Sequence, residues 1–130
     1  MTTAGLHAAL RACARGLYPA EAGVELLISH ASWLHRNDFR DRFVHLGTSI
    51  TDGLTTMASI DWPAAITALD AGELPCSGGE RRLLRLAASL ADGIPVDLRD
   101  TLTGLDTRNI ALTVTAVLHA SGQRPAPQQP

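Results

Sequence analysis

The sequence predicts an all-α fold, a compact single-domain bundle of five to seven helices with short loops and a disordered C-terminal tail. The chain has 130 residues, of which 45% are apolar, and that is enough for one continuous core. Only 4% are aromatic, so the core must come from Leu, Ile, Val and Ala, a mixture that favours helices. Capping and stop signals also recur at helix-length intervals. We expect one helical domain over residues 1–121 and a Pro- and Gln-rich disordered tail over 122–130.

The first two helices are predicted on either side of Gly16. One runs from Thr3 to about Arg15, and the other from Pro19, a favourable first-turn residue, to about His35. The second helix carries two apolar stripes, so we expect it to be surrounded by neighbours at the centre of the bundle. The stripes are Val24, Leu27, Ile28, Ala31 and Leu34, and then Leu26, His30 and Trp33.

Residues 37–59 carry weaker signals. Asn37 or Asp38 can cap a short third helix that ends at Gly47 and carries Phe39, Phe43 and Val44. After it, three apolar residues repeat at i, i+4 and i+7: Ile50, Leu54 and Met57. Four threonines and a glycine interrupt this pattern, but it favours a short helix over a strand between residues 48 and 59.

The second half of the chain has clear helix boundaries. Asp61 caps a helix that ends at Gly72, with Ile66 and Leu69 facing inward. Ser77 and Glu80 match the S-x-x-E capping box. The helix that they open ends at the Gly-Ile-Pro break at residues 93–95, and a short helix follows over residues 97–103.

The last segment can be interpreted in two ways. Alternating apolar residues between Ile110 and Leu118 are typical of a strand. The same segment places four apolar residues on one helical face: Ile110, Val114, Val117 and Leu118. The capping residue Asp106, the hydrophobic staple of Leu105 with Ile110, and the length favour a helix.

Five segments of the second half carry a resemblance to known proteins. They are Ile60-Asp-Trp62, Leu74-Pro-Cys-Ser-Gly-Gly-Glu80, Leu84-Arg-Leu-Ala-Ala-Ser-Leu-Ala91, Gly104-Leu-Asp106 with Asn109, and Leu118-His-Ala-Ser-Gly122. The chain resembles small uncharacterised helical proteins of high-GC Gram-positive bacteria. The resemblance implies a helical protein and no particular activity, ligand or catalytic residue.

Composition argues against several classes of function. The net charge is −2, so no overall field attracts phosphate backbones or anionic membranes. Arg11 and Arg15 interrupt any signal-peptide core, and no uncharged run is long enough to span a bilayer. Cys13 and Cys76 lie far apart, as expected of free thiols in a reducing cytoplasm. We therefore expect a cytoplasmic protein without a cofactor.

The best ligand candidate is the segment from Ser77 to Arg85. Backbone N–H groups at Ser77-Gly78-Gly79 can hold an anion at a helix N-terminus, although a capping box uses the same donors. Three arginines follow that could contact an anion or nucleic acid: Arg81, Arg82 and Arg85. Cys76 precedes this helix, where the dipole favours a thiolate, but sequence places no base beside it.

The histidines match no known metal-ligand spacing. His35, Asp38, Asp41 and His45 could meet in a loop, but nothing in their spacing predicts a tetrahedral site, so we expect no metal. No nucleophile–base or acid–base constellation is legible either, and an enzyme is the least favoured class.

The packing signals favour an interaction protein. We predict a non-enzymatic protein-interaction or assembly module that self-associates, for example as a homodimer, through an apolar helix face containing Leu26, His30, Trp33 and Trp62. The alternative is a small nucleic-acid-associated regulator that uses the arginine-bearing face of Arg81, Arg82 and Arg85.

Overall fold

Seven α-helices and one β-hairpin make up residues 1–123, the part of the chain that our computed structural model describes. The helices are α1 Thr3–Ala14, α2 Tyr18–His30, α3 Asn37–Phe43, α4 Trp62–Asp70, α5 Gly78–Asp92, α6 Leu98–Thr103 and α7 Thr107–Ala120. The strands are β1 Val44–Thr48 and β2 Thr56–Ile60, and a 3-10 turn, Trp33–His35, follows α2. The fold is mainly helical, but the all-α prediction is wrong at the hairpin. The predicted tail falls almost entirely on residues 124–130, outside the described residues.

Helix α2 lies at the centre of the fold, as its two apolar stripes predict. Helices α1, α5 and α7 all pack against it. At Gly23 the backbones of α2 and α5 approach so closely that a Cβ atom there would lie 2.7 Å from the Ala87 carbonyl oxygen and 2.6 Å from Ala91 Cβ. Glycine is therefore required at this crossing, because no side chain fits between the two helices.

The second helix ends earlier than the sequence predicts. It ends at His30 rather than His35, because Ala31 adopts a positive φ of 78° while its N–H still donates to the Leu27 carbonyl, 3.0 Å away. This break turns Trp33 into the core, where its indole Nε1–H donates to the Glu80 carbonyl at 2.8 Å. The two predicted stripes consequently do not belong to one continuous helix.

A β-hairpin replaces the helices predicted between Val44 and Ser59. Its strands pair antiparallel, with Val44 opposite Ile60 and Thr48 opposite Thr56. Val44 and Gly47 lie in β1 rather than at the end of the third helix. Buried side chains alternate along β2 and the strand packs against α1, so burial on one face outweighs the helical spacing of the apolar residues.

The hairpin loop is closed by a single carboxylate. Asp52 Oδ1 accepts hydrogen bonds from the backbone N–H groups of Leu54 and Thr55 at 2.8 and 2.9 Å, and Gly53 has a φ of +66°. The hydrogen bonds from the Thr55 side chain and from these backbone groups lower the pKa of Asp52 to about 2. Such Asx-type loops explain why a pattern rich in Thr, Asp and Gly is not helical.

The helix boundaries of the second half are confirmed. Asp61 Oδ1 accepts from Ala64 N–H at 3.1 Å and caps α4, and Asp106 Oδ1 accepts from Asn109 N–H at 2.8 Å and caps α7. The segment between Ile110 and Leu118 is helical, as the capping signal predicts. Among the described residues, no helix combines the length and the apolar character that crossing a bilayer requires.

Candidate interaction surfaces

The partner surface predicted from α2 is buried within the monomer. Leu26, His30, Trp33 and Trp62 each have less than a tenth of their surface exposed. Leu26 and His30 are buried because α1, α5 and α7 all pack against α2, whereas Trp33 and Trp62 lie outside α2 and pack into the core from the 3-10 turn and from α4. These four residues therefore belong to the interior of the fold and present no apolar surface to solvent.

His30 lies at the end of α2 beside the first turn of α7. Its Nδ1 atom is buried and has no hydrogen-bond partner among the described residues. Burial, with a smaller contribution from the Arg108 guanidinium, lowers the pKa of His30 below its usual value. The histidine is thus held as a neutral core residue.

The predicted anion cradle at the start of α5 is already filled by the chain itself. Ser77 Oγ accepts from Glu80 N–H at 3.1 Å, and Glu80 Oε1 accepts from Ser77 N–H at 2.9 Å, which completes the capping box. Side chains also fill the space beside the two glycines, since Arg82 lies against Gly78 and Asn109 lies against Gly79. The first turn of α5 is therefore engaged in capping and packing.

The three arginines of α5 line a cleft of about 350 Å³ between this helix and the segment that leads into α6. Asp97 and Asp100 line the same cleft, and Arg85 forms an ion pair with Asp70 outside it. The arginines therefore lie on one wall of the cleft and the aspartates on the other. Such an arrangement does not favour a polyanion, because phosphates would approach the aspartates as well as the arginines.

Arg82 is the most tightly packed of the three. Its guanidinium lies against Gly104, so closely that a Cβ atom added to that glycine would be only 2.2 Å from Arg82 Cζ. The Arg82 Nε atom is buried and has no hydrogen-bond partner among the described residues. The packing between Gly78 and Gly104 restricts this half-buried side chain. Arg81, by contrast, is exposed.

The thiols and histidines are dispersed over the described residues. Cys13 is exposed, Cys76 is half-buried, and neither forms a disulfide. Asp38 pairs with Arg36 at 2.7 Å, and its pKa is lowered by that bond. Within residues 1–123, no three His, Cys, Asp or Glu side chains come together in a group that could hold a metal ion.

Helix α7 presents an apolar face to solvent. The α7 face consists of Ile110, Val114, Val117 and Leu118. Val114 and Val117 are each 53% exposed, whereas the residues that α7 buries are Asn109, Thr113 and Ala116. No Asp, Glu, Lys or Arg occurs between Asn109 and Ser121, so the outward side of the helix is uncharged. Exposed helices of monomeric proteins normally carry charged residues on this side.

Polar contacts hold α7 in this orientation. Arg108 Nη2 donates to the Ser29 carbonyl at 3.0 Å at one end, and His119 Nε2 lies 2.8 Å from Glu21 Oε1 at the other. In the middle, the buried Thr113 hydroxyl is satisfied within the helix, since it donates to the Asn109 carbonyl at 2.8 Å. The contacts at the two ends hold the helix so that Leu112 packs against the core while Val114, Val117 and Leu118 remain exposed.

The sequence contains the residues of the α7 face but not their orientation. The helical spacing of these residues is visible in the sequence. The absence of charged residues beside them is visible too, and it is the signal that could have identified the surface.

Comparisons with protein-family models, with curated proteins and with solved structures each gave no match.

Proposed function

We propose that this chain is a non-enzymatic protein-interaction or assembly module that self-associates through the α7 face. The observation that supports the proposal is the inverted amphipathicity of α7, which buries Asn109 and Thr113 and exposes Val114 and Val117. The exposed valines leave apolar surface in water in an isolated monomer, which is unfavourable. A second apolar surface packed on the α7 face would remove that surface from water.

A second copy is a suitable partner because the α7 face is self-complementary. Its 14-residue helix is about 21 Å long, and the four residues of the face carry no charge that would repel the same surface on another copy. Two such helices can pack antiparallel about a two-fold axis, so that each residue contacts its symmetry equivalent or a neighbour of it.

The proposal is tested by placing one charge on the face. Val117→Asp should shift the self-association equilibrium toward monomer by at least about tenfold, since a carboxylate would be buried without a partner. The mass should be followed by sedimentation velocity over a wide range of protein concentration. The monomer itself should keep its stability within about 0.5 kcal/mol, because the side chain is surface-exposed.

Thr115→Asp is the matched control. Thr115 is exposed on the same helix but lies outside the α7 face, so this variant adds the same charge without entering the proposed contact. If the wild-type chain stays monomeric at every concentration, or if both variants weaken association equally, the α7 face is not the contact.

A further inference from the structure

The outer edge of β1 is open. Phe43 and Ser49 are both hydrogen-bonded across the hairpin, since Asp61 N–H donates to the Phe43 carbonyl and Ser49 N–H donates to the Thr55 carbonyl, each at 2.8 Å. Bonded and non-bonded pairs alternate in an antiparallel ladder, so Leu46 and Thr48 direct their N–H and C=O groups away from β2. No third strand pairs with β1 in the described part of the chain.

This edge lacks the features that protect edge strands from pairing. Its sequence, Val-His-Leu-Gly-Thr, contains no lysine, proline or carboxylate, and the register with β2 runs without a bulge. Within residues 1–123 no helix covers it, as every residue from His45 to Thr48 is exposed. Two strands alone are also fewer than a sheet normally needs for stability.

A groove lies directly beneath the open edge. Val44, Leu46 and Thr48 share the face of the sheet on which Ala58 and Ile60 are buried against the core. Beside them is a groove of about 480 Å³ that has both apolar and polar lining residues. The apolar ones are Met1, Leu6, Leu34, Val44 and Leu46, and the polar ones are Thr2, Thr3, Arg40 and Asp41. A strand added next to β1 would place alternate side chains in this groove.

The apolar side chains around this edge are unusually exposed. Leu46 is 60% exposed, Leu54 is 84% exposed, and Ile50 at the start of the loop is fully exposed. All three belong to the hairpin, on a segment that otherwise carries Asp52 as its single charged group between Val44 and Ile60. A surface of this kind is typical of a contact that is covered in the assembled protein.

We propose that β1 pairs antiparallel with β1 of a second copy, so that two hairpins form one four-stranded sheet. With the two-fold axis at Leu46, the two Leu46 residues exchange both of their backbone hydrogen bonds. Thr48 N–H of each copy then donates to the Val44 carbonyl of the other. Val44 N–H already donates to the Arg40 carbonyl at the end of α3, so Val44 contributes only its carbonyl to the new pairing. Both Leu46 side chains lie on the groove side.

A second copy is the occupant that the edge itself specifies. It supplies an extended, uncharged strand with the same open donors and acceptors, in a conformation already fixed by β2. An unstructured peptide would have to be ordered on binding, at an entropic cost that the preformed strand avoids. This contact goes beyond the α7 face, since α7 packs on α2 and α5 whereas the hairpin packs on α1.

Amide hydrogen exchange tests the pairing residue by residue. As protein concentration is raised over roughly a hundredfold range, the Leu46 and Thr48 amides should become protected by at least about tenfold. The Gly47 and Ser49 amides, which are bonded across the hairpin in every state, should keep their protection and serve as the internal control. Unprotected Leu46 and Thr48 amides at all concentrations would overturn the inference.

Leu46→Pro removes one outward donor without touching the bonds to β2, and edge strands tolerate proline at such positions. It should abolish the concentration-dependent protection of Thr48 and lower the mass of the assembly, while Leu46→Val, which keeps the donor, should not. If Leu46→Pro also exposes the Gly47 and Ser49 amides, Thr48→Pro repeats the test on the next outward donor. Persisting Thr48 protection in Leu46→Pro, or Leu46 protection in Thr48→Pro, contradicts the pairing.

The two contacts can be separated by combining variants. Val117→Asp should leave the protection of Leu46 and Thr48 unchanged, and Leu46→Pro should leave the α7 contact unchanged. If Val117→Asp lowers the mass but these amides never become protected, only the edge inference fails. If the amides are protected and Val117→Asp has no effect on mass, only the proposed α7 contact fails.

Discussion

Gly23→Ala is expected to destabilise the fold at the crossing of α2 and α5. The added methyl group would lie 2.6 Å from Ala91 Cβ and 2.7 Å from the Ala87 carbonyl oxygen. Carbon atoms pack favourably at about 3.5–4.0 Å, so α2 and α5 must separate by about 1 Å to accommodate the methyl group. That movement also loosens Leu83 and Leu84 of α5, both of which are completely buried.

The magnitude follows from two opposing effects. Alanine is favoured over glycine inside a helix by about 1 kcal/mol. Overpacking of a tight core costs about 1–3 kcal/mol, and the upper part of this range applies because a backbone carbonyl cannot rotate away from the methyl group. The free energy of unfolding should therefore fall by about 1–2 kcal/mol, with a decrease in Tm of roughly 3–8 °C for a domain of this size.

Urea unfolding of both proteins measures the difference, and a second substitution isolates its cause. Ala91→Gly removes one of the two close contacts, so the double variant should be more stable than the sum of the single effects by about 0.5–1.5 kcal/mol. If Gly23→Ala is as stable as the wild-type chain, or if the two substitutions are additive, the close approach of α2 and α5 does not exist in solution.

Three further predictions concern local features. Ser77→Ala should lower the free energy of unfolding by about 1 kcal/mol in urea titrations, because it removes the cap of α5. A loss within experimental error would mean that the capping box does not contribute to stability. Ala31→Gly should raise the free energy of unfolding by about 1 kcal/mol, since glycine adopts a φ of 78° without strain. A variant less stable than the wild-type chain would contradict this. Because the pKa of His30 is lower in the folded state than its ordinary value of 6.5, the folded state binds fewer protons, and stability present above about pH 6.5 is lost as the pH falls below it. His30→Gln should flatten this loss in unfolding measured from about pH 7.5 to about pH 5, and an unchanged pH profile would exclude His30 as its source.

The helix boundaries of the second half could be predicted because each depends on neighbouring residues. Ser77 and Glu80 satisfy each other's backbone N–H groups within one turn, and Asp61 and Asp106 act over three residues. Nothing distant has to be known to recognise such a cap. The central position of α2 was also predictable, since apolar residues around most of a helix require neighbours on most sides.

The hairpin could not be predicted because its stability depends on a distant partner. Ala58 and Ile60 belong to a strand that packs on α1, far earlier in the chain, and burial against that helix selects the strand. The local spacing of Ile50 and Leu54 indicates a helix, but both side chains remain in solvent. Local spacing is a weak signal where long-range burial decides the conformation.

The candidate surfaces were identified only in part. Helical spacing placed Val114 and Val117 on one face of α7, but whether that face is inward depends on the contacts of Arg108 and His119 at its ends. At Trp33 the prediction was wrong. A large aromatic residue on a second stripe suggests an exposed patch, whereas the break at Ala31 turns it inward.

The buried indole of Trp33 gives the protein an intrinsic optical signal. Its hydrogen bond to the Glu80 carbonyl joins residues 47 positions apart, so the ring is sheltered only after the two halves of the chain have met. Fluorescence emission from this ring should be blue-shifted and inaccessible to acrylamide in the native protein. In stopped-flow refolding of a Trp62→Phe variant, in which Trp33 is the single tryptophan, the appearance of that shielded emission would time the docking of α5 against the end of α2.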